Sequence, residues 1–329
     1  MTPPLCGDRP IVTVTRRLPE PVERLLTDEF DARLNHDDHP FGAAELREAL
    51  RCSDAVLCTL TDRVTSDVLI AEPLRARILA NFGVGVNNID LEAAQARGLV
   101  VTNTPGVLTE CAADLTMALI LMVLRRLGEG ERELRAGRWT GWRPTHLLGR
   151  RVSGCRLGII GFGRIGQAVA RRASRGFGMR VLAYSPTPPR PGTLADCGAE
   201  SRGSIDEVLA EAAIVSLHCP LTLDTRHLIN SHRLGLMRPD AVLINAARGE
   251  IVDELALGQA LRAGTIAGAG LDVYEHEPAV SPELLSLENV VLLPHVGSAT
   301  LETRIAMGMR ALTNLQAFFR GLPPADRVT

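Results

Sequence analysis

Three apolar stretches late in the chain each lead into a residue that can handle a carboxylate or a proton. Ala241 to Asn245 runs into Ala246-Ala247-Arg248-Gly249, Ala267 to Leu271 into Asp272-Val273-Tyr274-Glu275-His276-Glu277-Pro278, and Val290 to Leu292 into Pro294-His295. As strands of an open α/β sheet they would aim these residues at the crevice outside the carboxyl ends of the sheet, where ligands bind. A planar guanidinium suits two-point capture of a carboxylate, which is the chemistry open to Arg248. A histidine beside a carboxylate has its charged form favoured and can deliver a proton near neutral pH, which is the chemistry open to His295. Any one of these alone reads as a polar loop residue; an arginine, an acid and a histidine at three successive strand ends read as a constellation. Within the acidic stretch, Glu275 and His276 read as solvent-facing. His218, after the stretch Ala213 to Leu217, faces the same crevice and reads as lining it near Cys219 and Pro220. His36, His39, His146, His227 and His232 read as ordinary polar positions.

The elements that must position this constellation begin with Arg156 to Ile160, which reads as a strand buried on both faces. It passes into Gly161-x-Gly163-x-x-Gly166, which opens the helical stretch Gln167 to Arg172. Gly161 permits a tight turn, Gly163 a close approach of backbone to a pyrophosphate, and Gly166 close packing of helix on strand. The helix N-terminus adds free N–H groups and a positive dipole end, so this stretch predicts a dinucleotide site. The next strand, Arg180 to Tyr184, ends in Ser185-Pro186-Thr187-Pro188-Pro189-Arg190, with no acid before Asp196. An acid there would accept the ribose 2′-OH of NAD. Its absence, with Ser185, Thr187 and Arg190 able to meet a 2′-phosphate, favours NADP(H) and leaves NAD(H) open.

Earlier in the chain, Ile11 to Thr15, Asp54 to Cys58, Ile78 to Asn81 and Val100 to Asn103 read as strands. Pro21 to Phe30, Ala43 to Leu50 and Leu91 to Ala96 read as helices, and the alternation predicts a parallel sheet with crossover helices. Thr104-Pro105-Gly106 interrupts it. One long helix is expected from Thr109 to about Arg135, apolar enough to be buried or to contact another subunit. A last helix, Thr300 to Phe319, is expected to return to the first unit. The expectation is an α/β protein of two domains, residues 1–103 with 295–329, and residues 104–294. A length of 329 residues with 46% hydrophobic content supports two cores. The net charge of −2, with signs mixed, excludes a nucleic-acid or acidic-lipid surface as the expected partner. Seven cysteines without a CxxC fit a reducing compartment and suggest no metal site. MTPPLCGDRP has no apolar signal core, and Met117 to Leu124 is too short to span a bilayer, so a cytoplasmic protein with no membrane partner is expected.

The motifs NFGVGVNNID (81–90), NTPGVLTE (103–110), WTGW (139–142), GIIGFGRIGQ (158–167), NAARGEIVDE (245–254), GAGLDVYEHEP (268–278) and LLPHVGSAT (292–300) cover nearly the whole chain. On them it resembles the D-isomer-specific 2-hydroxyacid dehydrogenases, and within these the glyoxylate/hydroxypyruvate reductases. The resemblance implies a Rossmann dinucleotide-binding domain inserted into a flavodoxin-like substrate-binding domain. It also implies NAD(P)H-dependent reduction of small 2-keto acids to D-2-hydroxy acids. His295 would be the acid/base, Glu277 its orienting partner and Arg248 the clamp on the substrate's carboxylate and keto oxygen, with Val84, Gly85 and Ser298 completing the carboxylate pocket. The cofactor would meet Thr109, Gly161, Gly163, Arg164, Ile165, Gly166, Ser185, Thr187, Arg190, Cys219, Pro220, Thr225, Ala246, Ala247, Arg248, Asp272, His295 and Gly297. NADPH-using relatives place an arginine one or two residues after the serine, where this chain has Pro186 and Thr187.

Of the two tryptophans, Trp139 reads as a packing anchor. By the same resemblance Trp142 would reach the partner's substrate site in a homodimer built on the 109–135 helix. Val84 stands where phosphite dehydrogenases have a lysine, and Glu277 where formate dehydrogenases have a glutamine, which argues against both reactions. A different acid, of the D-lactate or phosphoglycerate type, stays open. So does a dinucleotide-sensing protein like the C-terminal-binding-protein corepressors, which would bind cofactor with little turnover.

Overall fold

Alternating apolar strands and amphipathic helices build two parallel sheets, one in each of two units. The computed structural model describes residues 9–329; the first eight residues of the MTPPLCGDRP stretch lie outside the described residues.

The first unit comprises the described residues up to Leu108 together with Ser298–Thr329. Its strands are β1 (Ile11–Val14), β2 (Asp31–Arg33), β3 (Ala55–Thr59), β4 (Ile78–Phe82) and β5 (Val100–Thr102), in the flavodoxin-like order β2-β1-β3-β4-β5. Helices cover both faces, which is why β3 and β4 are apolar over Ala55–Cys58 and Ile78–Ala80 rather than alternating. Leu57, Ile78 and Ala80 pack against Val22 and Leu26 of helix Glu20–Glu29 and Met307 and Leu312 of helix Leu301–Phe319. Val56 and Leu79 point the other way, onto Leu46 and Leu50 of helix Ala43–Cys52.

The second unit, Thr109–Gly297, holds β6 (Arg156–Ile160), β7 (Arg180–Tyr184), β8 (Ala199–Ser201), β9 (Ile214–Leu217), β10 (Val242–Asn245), β11 (Gly268–Leu271) and β12 (Val290–Leu292). Their order, β12-β11-β10-β9-β6-β7-β8, is of the Rossmann kind: the chain starts in the middle, goes out one way, and returns to build the other half. The reversal falls between β6 and β9, whose carboxyl ends therefore frame the ligand crevice of this sheet. Ile159, Ile214 and Ile244 pack on Leu119 and Ile120 of helix Thr109–Leu124 and Val169 of helix Arg164–Phe177.

Two features differ from expectation. The helix expected over 109–135 is two helices, Thr109–Leu124 and Leu127–Arg135. Arg126 takes a left-handed backbone, φ 53°, and its guanidinium bonds Glu129 (2.9 and 2.7 Å). The Leu124 carbonyl accepts from Arg150 N (2.7 Å) instead of continuing the helical ladder. The first of the two helices is largely buried, whereas the second buries nothing. Strands β2 and β8 carry no sequence signal because each is three residues long, polar, and at a sheet edge.

Candidate active site

Two strand ends in the second unit, those of β10 and β11, are shaped by buried polar side chains. Asn245, the last residue of β10, accepts from Ala247 N (3.0 Å) and donates to Arg248 O (2.8 Å), folding the Ala246-Ala247-Arg248 turn around its carboxamide. Arg248 is half-buried, and its Nη1 donates to Ala247 O (2.6 Å). Burial lowers its pKa, opposed by the charges of Glu277 and Glu250; a guanidinium remains charged regardless.

Asp272, which follows β11, is 1% exposed. Its carboxylate accepts from Val296 N and Gly297 N, both at 2.8 Å, and its carbonyl accepts from His295 N (2.9 Å). Burial raises its pKa, against those two N–H donors and the charge of His295. Asp272 thus locks the turn in which His295 has φ 54°, a left-handed conformation costing a residue with a β-carbon about 1–2 kcal/mol. Asp272, expected to touch a cofactor, is buried, with its carboxylate bonded to the turn that carries His295.

His295 Nδ1 bonds Glu277 Oε2 at 2.8 Å, and Glu277 Oε1 accepts from Tyr274 N (3.0 Å). Burial alone would raise the Glu277 pKa, but the hydrogen bond and charge of His295, the Tyr274 N–H and the Arg248 charge hold it below the usual carboxylate range. The outer nitrogen of His295, Nε2, has no partner among the described residues. Arg248, Glu277 and His295 are therefore brought together as an ionised carboxylate that feels a guanidinium and bonds an imidazole whose other nitrogen has no partner among the described residues.

A second pair stands two residues away, and it corrects one expectation. Glu275 is not solvent-facing: its side chain is 15% exposed and bonds His227 Nε2 at 2.6 Å. The Glu275 N–H donates to the buried Glu254 (2.5 Å). His276 is exposed, as expected. His218 bonds Ser216 Oγ through Nε2 (2.9 Å), and burial lowers its pKa to about 4.

The glycine loop is built as its spacing predicts. Gly161 has φ 98°, and a β-carbon there would lie 2.4 Å from Cys219 N and 2.5 Å from the His218 carbonyl carbon. A β-carbon on Gly166 would lie 2.3 Å from Gly161 O, whereas Gly163 faces open space. Arg164, Ile165 and Gly166 form the first turn of the 14-residue helix Arg164–Phe177, where N–H groups have no intrahelical acceptor. Beside the loop a cavity of about 410 Å³ is lined by Phe162, Tyr184, Ser185, Arg190 and Arg202 among others. Arg202 is tied to Glu211 (2.9 Å, twice), whereas the Arg190 guanidinium has no partner among the described residues. Thr187 is exposed, Cys219 half-buried and Pro220 exposed; Thr225 donates to Pro220 O (2.7 Å) and shapes that turn. Thr109 opens helix Thr109–Leu124, half-buried. An open helix N-terminus, a glycine-cleared approach and an adjoining cavity fit a dinucleotide.

In the first unit, Val84 and Gly85 form a half-buried loop after β4, and Ser298 is half-buried before helix Leu301–Phe319. Trp139, expected as a packing anchor, is 51% exposed because the segment after helix Leu127–Arg135 packs no core; Trp142 is 82% exposed. Asn245 and the locking role of Asp272 were missed from sequence. The available signal was a polar residue closing an otherwise apolar strand, which must find partners.

The family model of the D-isomer specific 2-hydroxyacid dehydrogenase NAD binding domain matches residues 117–297. The chain belongs to this family. It is 46% identical over 321 residues to the glyoxylate reductase of Thermococcus onnurineus, covering 96% of this chain and 95% of that one. The glyoxylate reductase of Pyrococcus furiosus is also 46% identical, with 96% and 94% covered. Among solved structures, the NADPH-dependent glyoxylate/hydroxypyruvate reductase of Sinorhizobium meliloti, in complex with NADP and malonate, aligns with a TM-score of 0.86. Identity there is 37%, over 98% of this chain and 97% of that one. Family membership makes a nicotinamide dinucleotide the cofactor that the glycine loop accommodates. Among the described residues no helix is long and apolar enough to cross a membrane.

Proposed function

We propose that this protein reduces small 2-keto acids, glyoxylate and hydroxypyruvate, to the D-2-hydroxy acids glycolate and D-glycerate. The observation that carries the reading is the His295–Glu277 pair beside Arg248, with the histidine's outer nitrogen free, in a chain of this family. The unit holding β6–β12 is the dinucleotide-binding domain and the other the substrate domain. A bound reduced nicotinamide supplies the hydride. As the keto carbon accepts it, the carbonyl electrons move to oxygen, and His295 Nε2 gives that oxygen its proton. Arg248 holds the substrate's carboxylate and offsets the charge growing on oxygen, the kind of stabilisation that contributes most when water is excluded. Glu277 keeps the imidazole turned by its Nδ1. On the substrate domain, Val84, Gly85 and Ser298 are the residues assigned to the substrate's carboxylate.

NADPH is the preferred donor of the hydride. Ser185 and the unpaired Arg190 flank the cavity beside the glycine loop, and no acid stands at the end of β7 to repel a 2′-phosphate. The protein works in the cytoplasm as a homodimer, with Leu134 (61% exposed) and Trp142 (82%) covered by the second copy and Trp142 serving the partner's substrate site. Light scattering of wild type should give twice the chain mass, and Trp142→Ala should change the KM for keto acids; a monomer would end this part of the reading. The central test is initial-rate oxidation of NADPH and NADH with hydroxypyruvate, glyoxylate, pyruvate and oxaloacetate. Turnover of the first two with NADPH favoured is expected. Absence of turnover with every keto acid would overturn the reading.

A further inference from the structure

The loop after β4 has a one-sided hydrogen-bond pattern. Each carbonyl from Gly83 to Val86 has a donor within the first unit. Asn81 Nδ2 donates to Gly83 O (3.3 Å) and Gly85 O (2.9 Å), and Thr104 N also reaches Gly83 O (3.0 Å). Asn103 Nδ2 donates to Val84 O (2.8 Å), and Ile89 N to Val86 O (3.0 Å). The N–H groups of Val84, Gly85 and Val86 have no partner among the described residues. In a trans peptide the C=O of one residue and the N–H of the next point in opposite directions. Turning the carbonyls of Gly83, Val84 and Gly85 inward therefore turns three successive N–H groups outward, and such a run forms a concavity for an anion.

Asn81 is the hub of this pattern. It is fully buried at the end of β4, and its Oδ1 accepts from Asn88 Nδ2 (3.3 Å), which leaves Nδ2 for the two loop carbonyls. Its own carbonyl accepts from Gly83 N (2.9 Å), closing the turn. Only a short side chain with two N–H bonds on one nitrogen can reach both carbonyls from there; aspartate has the same shape and no donor.

We propose that Asn81 is a positioning residue for substrate binding, holding the Val84–Val86 N–H groups as the seat of the 2-keto acid's carboxylate. The proposal rests on the assignment of Val84 and Gly85 to the carboxylate pocket. Asn81 never touches substrate, so its effect should appear in affinity for the acid and not in affinity for the cofactor.

The test compares wild type, Asn81→Asp and Asn81→Ser in two assays, with thermal unfolding as the check on folding. One assay measures KM for glyoxylate, KM for NADPH and kcat; the other measures binding of oxalate, an unreactive two-carbon acid, by calorimetry with NADP⁺ present. Asn81→Asp should raise both the glyoxylate KM and the oxalate Kd by about tenfold or more, with NADPH KM unchanged and kcat within about threefold. Asn81→Ser, neutral but too short to reach either carbonyl, should raise both as well, and it reports even if the buried carboxylate of Asn81→Asp prevents folding. Oxalate binding as tight in the folded variants as in wild type would overturn the proposal, as would no oxalate binding by wild type, or equal losses in both KM values. If wild type binds oxalate, the variants bind it weakly and no keto acid is turned over, Asn81's role stands and the catalytic assignment falls.

Discussion

One loop after β11 carries two glutamates, each bonded to a histidine from another part of the same unit, yet the two pairs are not equivalent. His227 contacts Glu275 through its outer nitrogen, Nε2, at 2.6 Å, leaving only Nδ1, the ring nitrogen nearer its own backbone. His295 contacts Glu277 through Nδ1 at 2.8 Å, leaving Nε2, at the far end of the ring, without a partner among the described residues. Glu277 also feels the Arg248 guanidinium, while the Glu275 segment is tied down through its N–H to Glu254. Which ring nitrogen meets the carboxylate thus decides whether a histidine–glutamate pair can hand a proton to something outside or only fasten a loop. A third histidine sharpens the contrast: His218 has no carboxylate, and burial holds it neutral with a pKa of about 4.

The largest effect should come from His295→Gln, which keeps a polar side chain but removes the proton. Its kcat for glyoxylate should fall by about 10³-fold, within the 10²–10⁴ range of general acid catalysis, with KM for NADPH unchanged. A fall under tenfold would place the proton donor elsewhere. Next is Asp272→Asn, which keeps the shape beneath the His295 turn but weakens its hold on Val296 and Gly297 N–H groups. A kcat loss of about tenfold is expected, with the His227–Glu275 pair, followed by histidine NMR, undisturbed.

His218 gives a prediction in stability. Its folded pKa, about 4, lies below the 6.5 of an ordinary histidine, so the unfolded chain binds more protons between those values. Stability is fully present above pH 6.5 and is lost as pH falls toward 4, by about 2 kcal/mol once partial exposure is allowed for. Denaturant unfolding of His218→Gln across this window should show a shallower pH dependence than wild type; an equal slope would contradict it. The smallest effect is expected of His227→Gln: kcat within about threefold, and about 1 kcal/mol or less lost from a partly exposed pair.

Much of this was legible in the residues. The strand–glycine–helix run at 156–172 and the three strand ends had both the right residue types and the right local context. A glycine whose β-carbon would strike the neighbouring strand end leaves a clear trace in sequence. The Glu277–His295 pairing was legible only through the family resemblance, and that Glu275 meets His227 was not legible, because it depends on where His227 arrives in space. The break at Arg126 was hidden too. Nothing in Arg125-Arg126 disfavours a helix, and the cause lies in a distant strand of chain, where Arg150 N takes the Leu124 carbonyl. Asn81 and Asn245 stood in plain view as polar ends of apolar strands, but what each bonds is set by the loop that folds around it.

The most direct measurement is kcat with glyoxylate and NADPH for Glu277→Gln and Glu275→Gln side by side, since both remove one charge from the same loop at unchanged size. Glu277→Gln should fall by about 10²-fold and Glu275→Gln stay within about threefold of wild type. Equal losses, or the larger loss at Glu275, would contradict the assignment of proton transfer to the His295–Glu277 pair.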